Sequence, residues 1–310
     1  MAITTTVDMD AVKLQIVDTK FLYELALHAI ADQFASISKK GAKGSWRLSI
    51  FNNMAVSETA KGEAPLLAAE LQKQEAGAVE FNPVKETDGV SFTEETEIVT
   101  DGQINVAAAG NVGRTAGRVK GRRATQALDL NTASAGGFAI QADSGLVIDT
   151  GAIDIDDITD TDIFTAALGK KARQQLVNND AEEFDGQFFF ALAHNDVIED
   201  LQDDAKWIDA KKYADPQALI KGEVGALNGI RYVKNQQATI TANVGTVDTY
   251  QTHIFGVNAY GKADDKQETL IANPIPTDLS GSQFYAAYKM FFEYKIVLRP
   301  AMITVISAAS

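Results

Sequence analysis

Gly110 to Arg123 reads GNVGRTAGRVKGRR, and the way this stretch folds decides the architecture around it. Gly113, Gly117 and Gly121 recur every four residues, and Arg114, Arg118 and Arg122 follow one step behind. Lys120 and Arg123 add further positive charge. Two readings compete: a flexible Arg-Gly tract that grips phosphates, or a helix bared along one side for close approach. Residues four apart share a helix face. On a helix, Ala109, Gly113, Gly117, Gly121 and Thr125 therefore form one small-residue track, with the three arginines in a second track about 100° around. Counting Gly110, four interior glycines destabilise a helix by about 3–4 kcal/mol relative to alanine. A lone surface helix has no reason to carry that; a backbone packed against the bare side is a reason. Ile104, Val106, Val112, Val119 and Leu128 punctuate the stretch with aliphatics and favour the packed helix. Guanidinium groups at this spacing suit paired hydrogen bonds to carboxylates of a neighbouring element. Glu94 and Glu95, in TEETE just upstream, are candidate partners. The expected contact residues of this helix and its partner element are thus Gly113, Gly117, Gly121, Arg114, Arg118, Arg122, Glu94 and Glu95.

The rest of the composition limits the alternatives. The chain has 310 residues, 45% of them hydrophobic, which is globular composition and enough for a sizeable core. Its 28 Lys and Arg against 42 Asp and Glu give a formal charge of −14. Such a chain repels DNA on average, so any grip on nucleic acid has to be local. No cysteine is present, which excludes disulfides, thiolate metal sites and cysteine nucleophiles. MAITTTVDMDAVKLQ lacks the basic-then-apolar pattern of a secretory signal, and no apolar run approaches membrane-spanning length, so the expectation is a cytoplasmic chain with no membrane partner.

Periodicity supplies the outline. Ala11 to Ser38 reads as one helix, with Leu14, Val17, Phe21, Leu25 and Phe34 near three-to-four spacing. SWRLSIFNNMAV and AGAVEFNPVKETDGVSFTEE alternate as strands, with EAPLLAAELQKQEA between them as a helix or loop tip. This is a projecting excursion, and isolated two-stranded hairpins are marginal in water. The long helix follows, with Asp101 as its cap. NTASAGGFAIQADSG is a small-residue boundary. DIDDITDTDIFTAALGKKARQQLVNN has aspartates before an amphipathic helix, GQFFFALAHNDVIEDL runs a buried strand into an Asn195-capped helix, and the C-terminal residues are β-rich. Loose alternation of strands and helices makes the fold class α+β with an inserted central domain.

Catalytic signals are sparse. An EF-hand starting at Asp154 needs glycine and glutamate where Thr159 and Thr165 stand, so helix capping explains the aspartates better. His28 reads as structural, His194 as a strand end, His253 as a packed strand residue. No nucleophile elbow or phosphate-binding loop occurs. We expect no enzyme, no cofactor and no metal.

Three stretches carry a family resemblance. FNPVKETDGVSFTEE followed by DGQIN resembles the return of an extended loop into a spine helix. FFFALAHNDVIEDLQDDAKWIDAKKY, continuing to LIKGEVGALNGIRYVKN, resembles a strand, a helix and a GE(V/I)G…G(V/I)R(F/Y)V run. HIFGVNAYGK matches FGxxAYG. Together they resemble the major capsid proteins of tailed bacteriophages with the Hong Kong ninety-seven-like fold, nearest to the N-four-type podovirus group. The resemblance implies an N-terminal arm and extended loop over 1–80, a peripheral domain with the spine helix over 81–131, an axial domain over 132–283 and closing peripheral strands over 284–310. It implies a structural head protein that self-assembles into hexamers and pentamers of an icosahedral virion shell in the host cytoplasm. It also implies that the spine helix lies under neighbouring subunits' loops, which makes Gly113, Gly117, Gly121, Arg114, Arg118, Arg122, Glu94 and Glu95 inter-subunit contacts. The partners implied are copies of itself, a separate scaffolding protein, a portal, a decoration protein and packaged DNA that is enclosed rather than specifically bound. An encapsulin-like nanocompartment shell and a nucleic-acid-binding protein using Arg114 to Arg123 are the alternatives.

Overall fold

The computed structural model describes residues 19–40, 44–51, 76–99, 103–129, 138–141, 147–149, 158–207, 223–242, 247–274 and 282–309. Asp101, the loop tip between 52 and 75, and Asp154 to Asp157 lie outside these, as do residues 11–18 of the first expected helix.

The glycine-rich stretch is helical throughout. Gln103–Leu128 forms one 26-residue helix, α3. Every fourth residue from Ala108 through Val112, Ala116, Lys120 and Ala124 to Leu128 is buried, and so is the glycine row beside it. The apolar row lies on a four-stranded sheet ordered β1-β12-β13-β4, built from Ile37–Lys40 (β1), Val84–Thr93 (β4), Tyr260–Pro274 (β12) and Gln283–Ile296 (β13). In β13, Ala286, Tyr288, Met290, Phe292 and Tyr294 are buried, while the residues between them are half-buried. That period of two is what one covered sheet face requires. Just before β4, Trp46–Phe51 (β2) and Ala76–Phe81 (β3) pair as a two-stranded hairpin stem.

The second body is an eight-stranded sheet. Phe138–Gln141 (β5), Val147–Asp149 (β6), Phe189–Ala193 (β7), Glu223–Leu227 (β8), Ile230–Lys234 (β9), Asp248–Phe255 (β11) and Met302–Ser307 (β14) run in the order β6-β5-β14-β11-β7-β9-β8, and Ile240–Ala242 (β10) adds to β11. Strands β7, β11 and β14 are almost wholly buried. The GEVGALNGIRYV run is the β8–β9 hairpin: Asn228 and Gly229, with φ of 54° and 74°, are the two-residue loop whose left-handed backbone suits a tight hairpin. Helix Ala166–Asn178 (α4) and helix Asn195–Asp203 (α5) join this sheet in a second apolar cluster with Phe164, Leu176, Phe189, Ile230 and Ile254.

Four expectations need correction. The first helix does not reach Ser38: residues 19–28 are helical (α1), Ala31–Phe34 is a 3-10 turn, and Ile37 onward joins the sheet edge in parallel with β12. Tyr260 donates its buried hydroxyl to the Ala31 carbonyl, which holds the turn against the sheet. Thr165 caps α4 by accepting from Leu168, and Asp204, 38 residues away, accepts from Ala166, so the aspartate run does not supply the caps seen there. His194 rather than Asn195 caps α5, accepting from Asp196 through Nδ1. The expected domain limits also shift: β12, placed in the 132–283 segment, lies in the four-stranded sheet, while β14, placed in the 284–310 segment, lies in the eight-stranded one. The chain therefore crosses between bodies twice near its end. FGxxAYG is one of these crossings, from β11 into β12. A side chain at Gly256 would strike the Glu182 carbonyl, and one at Gly261 would come within 2.9 Å of the Ile37 carbonyl.

Among the described residues the buried hydroxyl of Tyr232 has no hydrogen-bond partner. A Cβ added at Gly169 of α4 would sit 2.5 Å from it. Burial raises its pKa. Tyr232→Phe removes an unpaired polar atom and is expected to stabilise the chain by about 1 kcal/mol, read as a rise in melting temperature.

Candidate assembly surface

The bare side of α3 receives another helix, and that helix belongs to the same chain. A Cβ at Gly113 would lie 2.6 Å from the Phe21 carbonyl oxygen, and one at Gly117 would lie 2.7 Å from that of Leu25. At Gly121 the nearest atom is 3.3 Å away, the His28 carbonyl. The glycine row is a groove cut for α1, which brings Phe21 and Leu25 into the core. This corrects the expectation that Gly113, Gly117 and Gly121 meet a neighbouring subunit.

Charges border the groove. Glu24 of α1 accepts from Lys20 at 2.6 Å and from Arg114 at 3.2 Å, with His28 at 3.6 Å. The hydrogen bond from Lys20 leads the influences that hold its carboxyl below the usual range, against its desolvation. Arg123, beside the last arginine of the track, bonds Glu86 of β4 through Nε at 2.9 Å. Arg114 is thus committed within the chain to Glu24, a partner the sequence did not suggest. Arg118 and Arg122 are exposed and have no ion-pair partner among the described residues. They line a groove of about 400 Å³ with Thr115, Val119, Gln236 and Gln237. Glu94 and Glu95 are exposed in the short helix Glu94–Val99 (α2) and meet no arginine of their own chain among the described residues.

Beneath α3 lies a buried network that sequence reading missed. Lys120, 3% exposed, points between Asp32 at 3.9 Å and Asp264 at 3.8 Å. Asp32 also receives Lys262 at 2.8 Å and the Tyr294 hydroxyl. Burial alone would push the Asp32 carboxyl up, but the Lys120 and Lys262 charges and the hydrogen bonds from Lys262 and Tyr294 outweigh it and hold it below its ordinary value. The signal was available: Lys120 is the one charge in the row from Ala108 to Leu128, and a lysine in a buried row needs a carboxylate. At the end of α3, Asp129 meets Nε2 of the fully buried His253 at 3.1 Å, and Nδ1 of His253 lies 3.0 Å from Thr304. Asn235 donates to Thr125 at 2.9 Å. These bonds tie the helix to the eight-stranded sheet. Of the three histidines, His253 bridges Asp129 and Thr304, His194 caps α5 and His28 lies beside Glu24, and the described residues contain no cluster of three or more His, Asp or Glu able to hold a metal.

The stem of the β2–β3 hairpin remains incompletely covered. Trp46 stacks on Phe81, and the partly buried Leu48, Ile50 and Val79 pack beside them. Along α1, Leu22, Tyr23 and Leu27 are 40–55% exposed. Among the described residues no helix is long and apolar enough to cross a membrane.

This arrangement of a projecting hairpin stem, a long helix on a four-stranded sheet and a second, eight-stranded body is the Hong Kong ninety-seven-like phage capsid fold. The chain is similar to the capsid of Ralstonia phage GP4, at 11% identity and a TM-score of 0.69, over 88% of this chain and 87% of that one. It is similar to the capsid of cyanophage Pam1 at 12% identity and a TM-score of 0.63, covering 88% of each chain. The acid-stable capsid of Helicobacter pylori bacteriophage KHP30 matches at 10% identity and a TM-score of 0.62, over 87% of this chain and 88% of that one. No family model matches the sequence, and no curated protein matches it.

Proposed function

We propose that this chain is the major structural protein of a bacteriophage head, assembling into hexamers and pentamers of an icosahedral shell around double-stranded DNA. The observation that carries the reading is the shared fold: 88% of the chain follows the capsid of Ralstonia phage GP4, with nearly equal coverage of both chains. The surfaces support it. A partly buried apolar hairpin face and the exposed Leu22, Tyr23 and Leu27 of α1 suit contacts with further copies. In this reading the four-stranded sheet with α3 is the peripheral domain, the eight-stranded sheet is the axial domain, and the hairpin stem is the base of the extended loop. The role is structural rather than catalytic. A scaffolding protein, a portal and a decoration protein are its assembly partners, and assembly takes place in the host cytoplasm. The N-four-type affinity rests on GEVGALNGIRYV and FGVNAYG. A wall repeating −14 per subunit would keep packaged DNA from adhering to it.

The helical, internally paired state of GNVGRTAGRVKGRR disfavours a phosphate-gripping tract, because Arg114 and Arg123 already hold carboxylates of their own chain. Sedimentation of the purified chain, with and without scaffold, tests the proposal: shell-sized particles are expected, and small species under every condition would refute it.

A further inference from the structure

We infer that Arg118 and Arg122, with Gln236 and Gln237, form a carboxylate-receiving groove for a second copy of this chain, and that the carboxylates it takes are Glu94 and Glu95. The inference rests on the shell reading and names one contact within it. Of the helix's arginines, Arg114 is satisfied internally by Glu24 and Arg123 by Glu86. The two middle arginines stand exposed beside a groove, in a chain with 14 more carboxylates than Lys and Arg together (42 − 28). Glutamine amides at the rim can donate to a carboxylate between the guanidinium groups.

Within their own chain Glu94 and Glu95 pair with neither arginine among the described residues. Arg123 is anchored to Glu86, and Glu94 lies eight residues further along, at the other end of β4. There the Glu94 amide bonds the Ser282 carbonyl, which fixes that end of the sheet. In a closed assembly of identical chains, every copy presents both the groove and the acids, so each contact can be repeated around a ring.

Charge reversal with rescue tests this. Arg118→Glu/Arg122→Glu is expected to melt at the parent's temperature, since both side chains are exposed, while its yield of shell-sized particles falls at least tenfold. Arg118→Gln/Arg122→Gln, which removes charge without repulsion, should lose less. Adding Glu94→Arg/Glu95→Arg to the reversed chain should restore most of the yield. Assembly of the reversed chain at the parent's level would overturn the groove, and absence of rescue would overturn the named partner. Retention of a DNA duplex on filters, dependent on these arginines and without effect on assembly, would assign the groove to phosphates instead. Failure of the parent chain itself to assemble would remove the shell reading, and the groove with it; a parent that assembles alongside an unaffected variant removes the groove alone.

Discussion

Gly113→Leu/Gly117→Leu is expected to lift α1 from α3 and destabilise the chain by about 3–6 kcal/mol. The groove offers no flexible atom to move aside, because the nearest neighbours of the added Cβ atoms are the Phe21 and Leu25 carbonyls, at 2.6 and 2.7 Å. Losing the seat exposes Phe21 and Leu25, each worth about 1.5–3 kcal/mol of burial. Better helix propensity returns only about 1 kcal/mol per glycine replaced, so the clash wins. The readouts are a lower melting temperature and new protease cleavage within residues 19–40. Gly121→Ala, where the nearest atom is 3.3 Å away, is expected to be tolerated. A double variant that melts normally and resists protease would mean that α1 does not occupy this groove.

Asp32→Ala should be nearly as damaging. It leaves Lys120 and Lys262 in a buried site with a carboxylate missing, and breaking a buried ion pair from one side costs about 3–5 kcal/mol. Lys120→Met should cost less, because Asp32 retains Lys262 and Tyr294. The same site gives a pH dependence. The folded-state pKa of Asp32 is lowered, so its contribution is complete above the ordinary carboxylate range and is lost as pH falls through the folded value. Acid therefore destabilises the parent, and Asp32→Asn should show a shallower loss in melting temperature below about pH 4. An equal acid response in both chains would exclude Asp32 as a contributor.

How much of this was legible depends on the range of the interaction. The long helix, the hairpin strands and the Asn228–Gly229 turn follow from local rules of period and backbone freedom, and the alternation through β13 is visible in its residues. The four-residue glycine repeat signalled close packing, but a repeat states only that something approaches, and not which chain supplies it. Glu24 and Glu86 escaped because their pairing with Arg114 and Arg123 spans 90 and 37 residues. The end of the first helix was misplaced because Leu, Phe and Ile spacing continues past His28, while the turn is set by Tyr260, 229 residues from Ala31. The exchange of β12 and β14 between sheets is a matter of long-range pairing, which no local pattern encodes. Glu94 and Glu95 stand as candidates for trans pairing because they are exposed and meet no arginine of their own chain among the described residues.

Electron cryomicroscopy of the particles formed by the full-length chain tests the shell account most directly. Closed icosahedral particles, with six-fold and five-fold capsomers and with α1 seated on its own subunit's α3, are the predicted result. Monomers and small oligomers alone, or open filaments and sheets under all conditions including added scaffold, would contradict it.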